Sequence, residues 1–435
     1  MILRGSRLGG LTAVFLLTVL VTLLVQVDAS AIPAFARKYE TSCTTCHVIY
    51  PKLNAYGEGF RNSGYRFIGN DEELVKQEDI PMGADAWKHV FPHGTWPGAL
   101  PRYVPLAIRG AFGAAYYPDD DVKDSSFQTP WEASLMWGTT LGERISTYGK
   151  VNLDGGSLDR AFVRFNSIFG NTLGENSFNV KLGKLEAGIV PYSLTRFIGI
   201  SVPLVYGINR SEGDFTYGAR TRGLEVDGLL GHNFKYTVGM ANGSNSFRDD
   251  DDNKDIYGRL ACKIGGIGLD GYSKALEEGG ELPQTNNWTD NSFTIGISAY
   301  EGTETLDDMI ENDVSRLAVD ARLQLGNLDL YGIYIDEEDS NPFGREEGAV
   351  FEPWESSVWF AQADYVFLPW VVGYLRYEEL EDAIDPREGP LENLERFVPG
   401  VVLAIRANIK LTLEAQLYQD DFNGDVYQAM IDLAF

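Results

Sequence analysis

From Arg102 to the C-terminus, apolar and polar positions alternate with a period of two. Leu106, Ile108, Gly110, Phe112, Ala114 and Tyr116 share one face of a predicted strand, and Trp131, Ala133, Leu135, Trp137 and Leu141 share another. The pattern is clearest near residue 320, where Leu317, Val319, Ala321, Leu323 and Leu325 lie on one side and Arg316, Asp320, Arg322 and Gln324 on the other. Side chains along a strand point alternately to opposite faces, so each run predicts a strand with one apolar and one polar face. Two architectures satisfy this. A soluble sandwich turns the apolar faces inward, and a transmembrane barrel turns them outward to lipid.

Two further patterns select the barrel. Short turns such as Gly326-Asn327, Leu368-Pro369 and Ala407-Asn408 alternate with long acidic connections, among them 336–356 and 378–395. Short turns at one end and long loops at the other are the outer-membrane arrangement. The chain also ends Tyr427, Ala429, Ile431, Leu433, Phe435, an alternating strand with an aromatic last residue. That ending resembles the signal read by the bacterial outer-membrane insertion machinery. About seventeen segments qualify as strands, whereas bacterial single-chain barrels use an even number. The alternation of loop lengths breaks between 276 and 313, where one candidate is either false or has an undetected neighbour. Sixteen strands are expected, with eighteen as the alternative. The fold class is therefore mainly β, a transmembrane antiparallel barrel over 102–435. No segment after residue 31 approaches the roughly 20 apolar residues of a membrane helix.

The period changes upstream. Residues 1–31 read as an export signal: Arg4 and Arg7 precede an uncharged apolar stretch from Leu11 to Val27, and Ala29-Ser30-Ala31 offers a small-residue cleavage site. From Ile32 to Phe67 the spacing is helical. Pro33 can open one helix, in which Phe35, Tyr39 and Cys43 fall four apart. Pro51 can open a second, in which Leu53, Tyr56 and Phe60 repeat at three and four. Residues 68–101 hold Pro81, Pro92, Pro97 and Pro101 with few periodic apolar positions, which predicts an irregular linker or plug.

Cys43-Thr44-Thr45-Cys46-His47 carries the chemistry. C-x-x-C-H is the attachment sequence of c-type haem. Two thiols one turn apart reach the two vinyl groups, and the adjacent histidine meets the iron. A zinc site would need four ligands, and no second Cys/His pair follows. A redox dithiol would need a thioredoxin-like setting that the pattern lacks, and export to an oxidising compartment favours haem as well. Phe35, Tyr39, Tyr50, Leu53, Tyr56 and Phe60 supply apolar walls, and would equally fill an ordinary small helical core. Arg37, Lys52 and Arg61 are candidate partners for the propionates, Arg37 foremost. The sixth ligand is expected from the linker. Met82, between Pro81 and Gly83, comes first, His89 and His93 are alternatives, and an open position is the remaining outcome. Methionine would raise the reduction potential and a second histidine would leave it lower.

The net charge of −27 speaks against a nucleic-acid partner, because such binding depends on cations that neutralise phosphates. Much of the excess lies in runs such as Asp119 to Asp121 and Asp249 to Asp252, which are expected to solvate loop tips. The second run also has the carboxylates to hold a hard cation. Cys262, in phase with Ile256, Leu260 and Ile264, is expected on the lipid face or packed, and His232 sits at a short turn.

Ala31-Ile32-Pro33-Ala34-Phe35-Ala36-Arg37, the C-x-x-C-H motif, and Pro51-Lys52-Leu53-Asn54-Ala55-Tyr56-Gly57 with Phe60 together resemble the single-haem porin–cytochrome fusions of bacterial outer membranes. The resemblance implies one covalent haem c on Cys43 and Cys46, iron on His47, and a haem segment in or at the mouth of the barrel. It implies electron transfer at or across the outer membrane, with a soluble periplasmic cytochrome as partner. The best-known members of that family oxidise ferrous iron at the cell surface. They usually carry Gln-Thr-Gly where this chain has Lys38-Tyr39-Glu40, so the resemblance carries the electron-transfer role further than it carries iron as donor. A porin whose haem segment is only a plug or sensor is the alternative.

Overall fold

The computed structural model describes residues 34–435 except 68–70, 76–79, 82–88, 90–98, 101, 119–124, 143, 194, 208–215, 244–252, 273–287, 307–309, 344–352, 382–383, 386–388, 391–392 and 420–423. The export signal, Met82, His93 and Asp249 to Asp252 lie outside the described residues.

Sixteen antiparallel strands close into one barrel. They are β1 (Leu106–Tyr116), β2 (Ser125–Leu141), β3 (Ile145–Asn152), β4 (Ser157–Phe165), β5 (Asn179–Glu186), β6 (Arg220–Leu230), β7 (Phe234–Ala241) and β8 (Asp255–Gly265). The second half runs β9 (Asp290–Thr305), β10 (Glu311–Gly326), β11 (Leu328–Asp339), β12 (Trp354–Leu368), β13 (Val371–Glu381), β14 (Leu394–Arg406), β15 (Ile409–Tyr418) and β16 (Val426–Ala434). Pairing of β16 with β1, from Tyr427 opposite Tyr116 to Ala434 opposite Arg109, closes the cylinder and leaves no free edge. The period-two pattern emerges as predicted. On β10, Leu317, Val319 and Leu325 are exposed on the outer face, while Arg316, Asp320 and Gln324 are buried in the lumen. Cys262 falls in the outer phase with Ile256, Leu260 and Ile264.

Connections are short at the end where β16 finishes: 142–144, 231–233, 327, 369–370 and 407–408. Two longer ones, 166–178 and 266–289, lie at that same end. The second accounts for the break in loop-length alternation. It is a long connection on the short-turn side, and no strand is missing. At the other end the acidic loops are shorter than the sequence suggests, 340–353 and 382–393, because the flanking strands run on past the apolar alternation.

The lumen is not a simple polar channel. The connection 187–219 folds inward, and its Ile189, Phe197, Leu204, Val205 and Tyr206 pack against inward-facing Tyr331, Ile333, Ile335, Val358 and Phe360. Wall carboxylates hold the backbone of this inner loop. Glu414 accepts hydrogen bonds from Ile200 N and Ser201 N at 2.8 Å each, and Glu378 accepts from Leu204 N at 2.5 Å.

The N-terminal segment is less helical than its spacing predicts. Helix α1 (Ala34–Tyr39) stops before Glu40, which takes a left-handed φ of 48°. Cys43 therefore does not continue that helix. It begins a separate 3₁₀ turn, Cys43–Thr45, capped by the Ser42 hydroxyl. Pro51 does not open a helix either. His47–Ile49 and Lys52–Leu53 form a small antiparallel ribbon with Pro51 in its turn. Helix α2 (Ala55–Asn62) starts four residues later than predicted, because Asn54 caps it by accepting from Gly57 N at 2.9 Å. In the linker, Asp71–Leu74 forms one helical turn and Ile80–Pro81 pairs with Ala99–Leu100.

Candidate functional site

The N-terminal segment lies inside the barrel as a plug. The Lys52 ammonium is ion-paired to Asp329 of β11 at 2.5 Å and to Asp364 of β12. The C-terminal end of α2 is held through Asn62, which receives Arg164 Nη2 on its carbonyl at 2.9 Å and Lys235 Nζ on its side-chain oxygen at 2.8 Å. Asn62 in turn donates to the Leu269 carbonyl at 2.8 Å, and so binds the long connection 266–289. That contact gives the exceptional length of this connection a structural role. Ile49 packs with Ile198 of the inner loop and Val366 and Val372 of the wall.

Between plug and wall is a cavity of about 230 Å³. Cys43, Cys46 and His47 line it together with Phe35, Tyr39, Tyr50, Leu53 and Phe60 from the plug; Tyr56 is not among the lining residues. Strands β2 and β3 contribute Met136, Trp137, Tyr148 and Lys150. Phe35 stacks nearly parallel on Tyr65, at 5.2 Å between ring centroids and 8° between planes, and Tyr65 stacks on Tyr148 at 5.5 Å. Aromatic rings of the plug thus run directly into those of the barrel.

The motif's electrostatics are consistent across its three residues. His47 Nδ1 lies 3.2 Å from the Pro51 carbonyl oxygen. A carbonyl only accepts, so Nδ1 carries the proton and Nε2 keeps its lone pair for a metal. Burial lowers the His47 pKa to about 4, against the opposing pull of the Pro51 and Lys52 backbone, so the ring is neutral at pH 7. Burial, with Cys43 nearby, raises Cys46 to about 12, and burial raises Cys43 as well. Both sulfurs are therefore protonated at neutral pH in the metal-free chain, unlike the low-pKa thiolate of a redox nucleophile. No group of three His, Cys, Asp or Glu able to hold a metal ion occurs among the described residues.

Five cations line the cavity, Arg61, Arg109, Lys150, Arg160 and Arg196, with no Asp or Glu among the described lining residues. Their carboxylate partners, Glu58, Glu132, Asp159, Glu186 and Asp432, stand behind them, outside the lining. Arg160 donates from Nε to Asp159 at 2.8 Å and from Nη1 to Thr195 at 3.3 Å, yet its Nη2 is buried without a partner. Arg196 Nε is also buried without a hydrogen-bond partner, its nearest carboxylate being Glu58 at 4.0 Å. Buried guanidinium nitrogens are costly unless an acceptor meets them. An apolar ring with an anionic edge would match this lining, and the residues present fit a haem attached at Cys43 and Cys46.

The other candidates from the sequence fall elsewhere. Arg37, the foremost propionate candidate, instead donates to the Val104 and Leu106 carbonyls at 3.2 and 2.8 Å. Lys52 is committed to the wall carboxylates. Arg61 alone of the three lines the cavity, where Glu58 binds it at 2.9 Å. His89 is exposed and is not among the lining residues. His232 bonds Asp270 at 2.7 Å and stacks on Tyr272. Sequence reasoning missed Arg109, Met136, Lys150, Arg160 and Arg196. Strand phase does mark each wall residue among them as lumenal, but it gives no height along the barrel.

No protein-family model matches the chain, and no curated relative does. Its fold is that of solved outer-membrane porins. The anion-selective porin from Comamonas acidovorans superposes with a TM-score of 0.52 at 14% identity, covering 76% of this chain and 98% of the porin. Salmonella typhi OmpF, solved with daunomycin, gives 0.51 at 10% identity over 77% of this chain and 98% of its own. The outer-membrane channel DcaP of Acinetobacter baumannii gives 0.50 at 11% identity, with 76% and 96% covered. At these identities the likeness concerns the fold alone.

Proposed function

We propose that this chain is an outer-membrane cytochrome. In this reading one haem c is joined through thioethers to Cys43 and Cys46, with His47 Nε2 on its iron, and electrons pass between an external donor and a soluble periplasmic carrier. The observation that carries the reading is the cavity at the C-x-x-C-H motif, aromatic-walled and lined by five cations and no described carboxylate. When bound, haem supplies one-electron chemistry at its iron. The chain's own residues do the rest. Pro51 fixes the His47 tautomer, Arg160 Nη2 and Arg196 Nε, neither hydrogen-bonded within the protein, are offered to the propionates, and the stacked rings of Phe35, Tyr65 and Tyr148 exclude water. The barrel is an insulating sleeve through a hydrocarbon core about 30 Å thick. Porin rules put the short-turn end, where β1 begins, on the periplasmic side. A ferrous iron species remains a candidate donor. The aromatic-ended strand closing on Phe435 is the segment for the insertion machinery to read.

A second reading is favoured by the porin fold combined with a lumen filled by plug and inner loop. It makes the chain a transport channel closed by its N-terminal segment, with no electron conduit. One preparation separates the two. Haem-loaded protein in liposomes, given an external reductant and an enclosed cytochrome acceptor, is expected to reduce the acceptor. Failure to reduce it, together with a large conductance once residues 32–101 are deleted, favours the channel. A preparation lacking covalent haem ends the cytochrome reading.

A further inference from the structure

The haem reading leaves open what meets the iron opposite His47, and the cavity wall suggests an answer. We infer that Met136, on barrel strand β2, is the second protein ligand of the haem iron. The inference rests on the proposed haem at Cys43, Cys46 and His47. It departs from the expectation that the linker supplies this ligand.

The argument is one of phase and elimination. Glu132, two pairs of positions before Met136, reaches into the lumen to bind Arg109 and Lys150, each at 2.7 Å. Side chains repeat their direction every second residue, so Met136 points the same way, and it lines the cavity. His47 belongs to the plug and Met136 to the wall, and both line the one cavity. The other donors of the described lining are already engaged or carry the wrong charge. Lys150 is ion-paired with Glu132. Tyr39 donates to Asp71 at 2.6 Å. Tyr50 is on the plug with His47, its ring centroid 5.6 Å from the imidazole, and Tyr65 is stacked between Phe35 and Tyr148. The Met136 sulfur has one polar contact, Tyr148 Oη at 3.7 Å, and retains a lone pair. A thioether is a soft ligand suited to haem iron, and histidine–methionine ligation raises the potential.

The test uses the full chain matured with covalent haem. Oxidised wild-type protein is expected to show the weak near-red sulfur-to-iron charge-transfer band, and its reduced form to bind carbon monoxide slowly. Met136→Leu, which keeps the volume, is expected to retain haem on a denaturing gel, lose the band, bind carbon monoxide rapidly and fall in midpoint potential. Met136→His should restore slow binding with a potential below wild type. Met82→Leu, the linker control, should leave every readout unchanged. A haem-loaded wild type without the band, a band that survives Met136→Leu, or one that disappears in Met82→Leu overturns the inference and leaves the haem reading intact. A wild-type chain that matures without haem overturns both.

Discussion

Gly59 of the plug rests directly on the backbone of Gly271: a β-carbon at Gly59 would stand 2.1 Å from the Gly271 amide nitrogen. Gly271 has a φ of +80°, so the 266–289 connection is itself shaped by glycine at this point. Two backbones meet here with no space for a side chain. Gly59→Ala is therefore expected to lift α2 from its seat at a cost of about 1–3 kcal/mol, the usual range for overpacking. Planar-bilayer recordings would show this as open events in a channel that is otherwise closed. A Gly59→Ala variant as silent as wild type would show that the plug is not seated through this contact.

Lys52 is the second fastening. Its ammonium pairs with Asp329 and Asp364 and lies 4.6 Å from the Tyr331 ring centroid, with all three charged groups largely buried. Lys52→Met would leave Asp364 with only its hydrogen bonds from Tyr331 and Gln362, whereas Asp329 keeps Arg322 at 2.8 Å. Removing one partner of a buried pair typically costs about 3–5 kcal/mol. Thermal unfolding in detergent should drop accordingly, and Lys52→Met combined with Asp364→Asn should recover part of the loss. Equal melting of single and double variants would mean the pair is not coupled.

These fastenings also mark the limit of what the sequence reveals. The C-x-x-C-H motif and the strands are local patterns, each legible within about ten residues. Alternation alone yields about seventeen candidate strands, which the even number of bacterial barrels resolves to sixteen, and it also gives the outward phase of Cys262. Lys52 pairs with a residue 312 positions away, and alone it reads as an ordinary solvated cation. Pro51 resembles a helix start until the Asn54 side chain is seen to cap α2. The inner loop did leave a signal. Ile189, Val190, Leu204, Val205 and Tyr206 are too apolar for a solvated connection, and their presence between β5 and β6 marks a segment that needs burial.

Acid should loosen the plug through Glu58. Burial alone would raise this carboxyl, but Arg61, Arg196 and Arg322 outweigh it and hold the pKa at about 2, below the ordinary 4.5. A carboxylate whose pKa is depressed on docking contributes stability that is complete above the undocked value and is lost as pH falls through the docked one. Its share is thus constant at pH 5 and above, and drains away between about 4.5 and 2. Channel opening in haem-free Cys43→Ser, Cys46→Ser barrels should rise over that window. Glu58→Gln should already be partly open at pH 7, with a flatter acid response. An unchanged pH profile in Glu58→Gln would remove this carboxylate from the docking energetics.

Arg160 and Arg196 give the haem reading its most direct chemical check. Each lines the cavity with one buried nitrogen that no protein group accepts from, and neither belongs to the plug. If propionates occupy those positions, the wall helps to set the electronic properties of a haem that the plug holds covalently. Arg160→Gln or Arg196→Gln should leave haem attached, because the thioether bonds to Cys43 and Cys46 do not depend on either residue. Each should lower the midpoint potential, since removing a neighbouring cation relieves the penalty on the extra charge of ferric iron. The potential should also become pH-dependent near neutrality, because a propionate without its guanidinium titrates closer to pH 7. Arg→Lys at either position keeps the charge and should retain most of the wild-type potential. Redox titration of the four variants at several pH values decides the matter. Potentials indifferent to both Gln substitutions would place the anionic edge away from this pair.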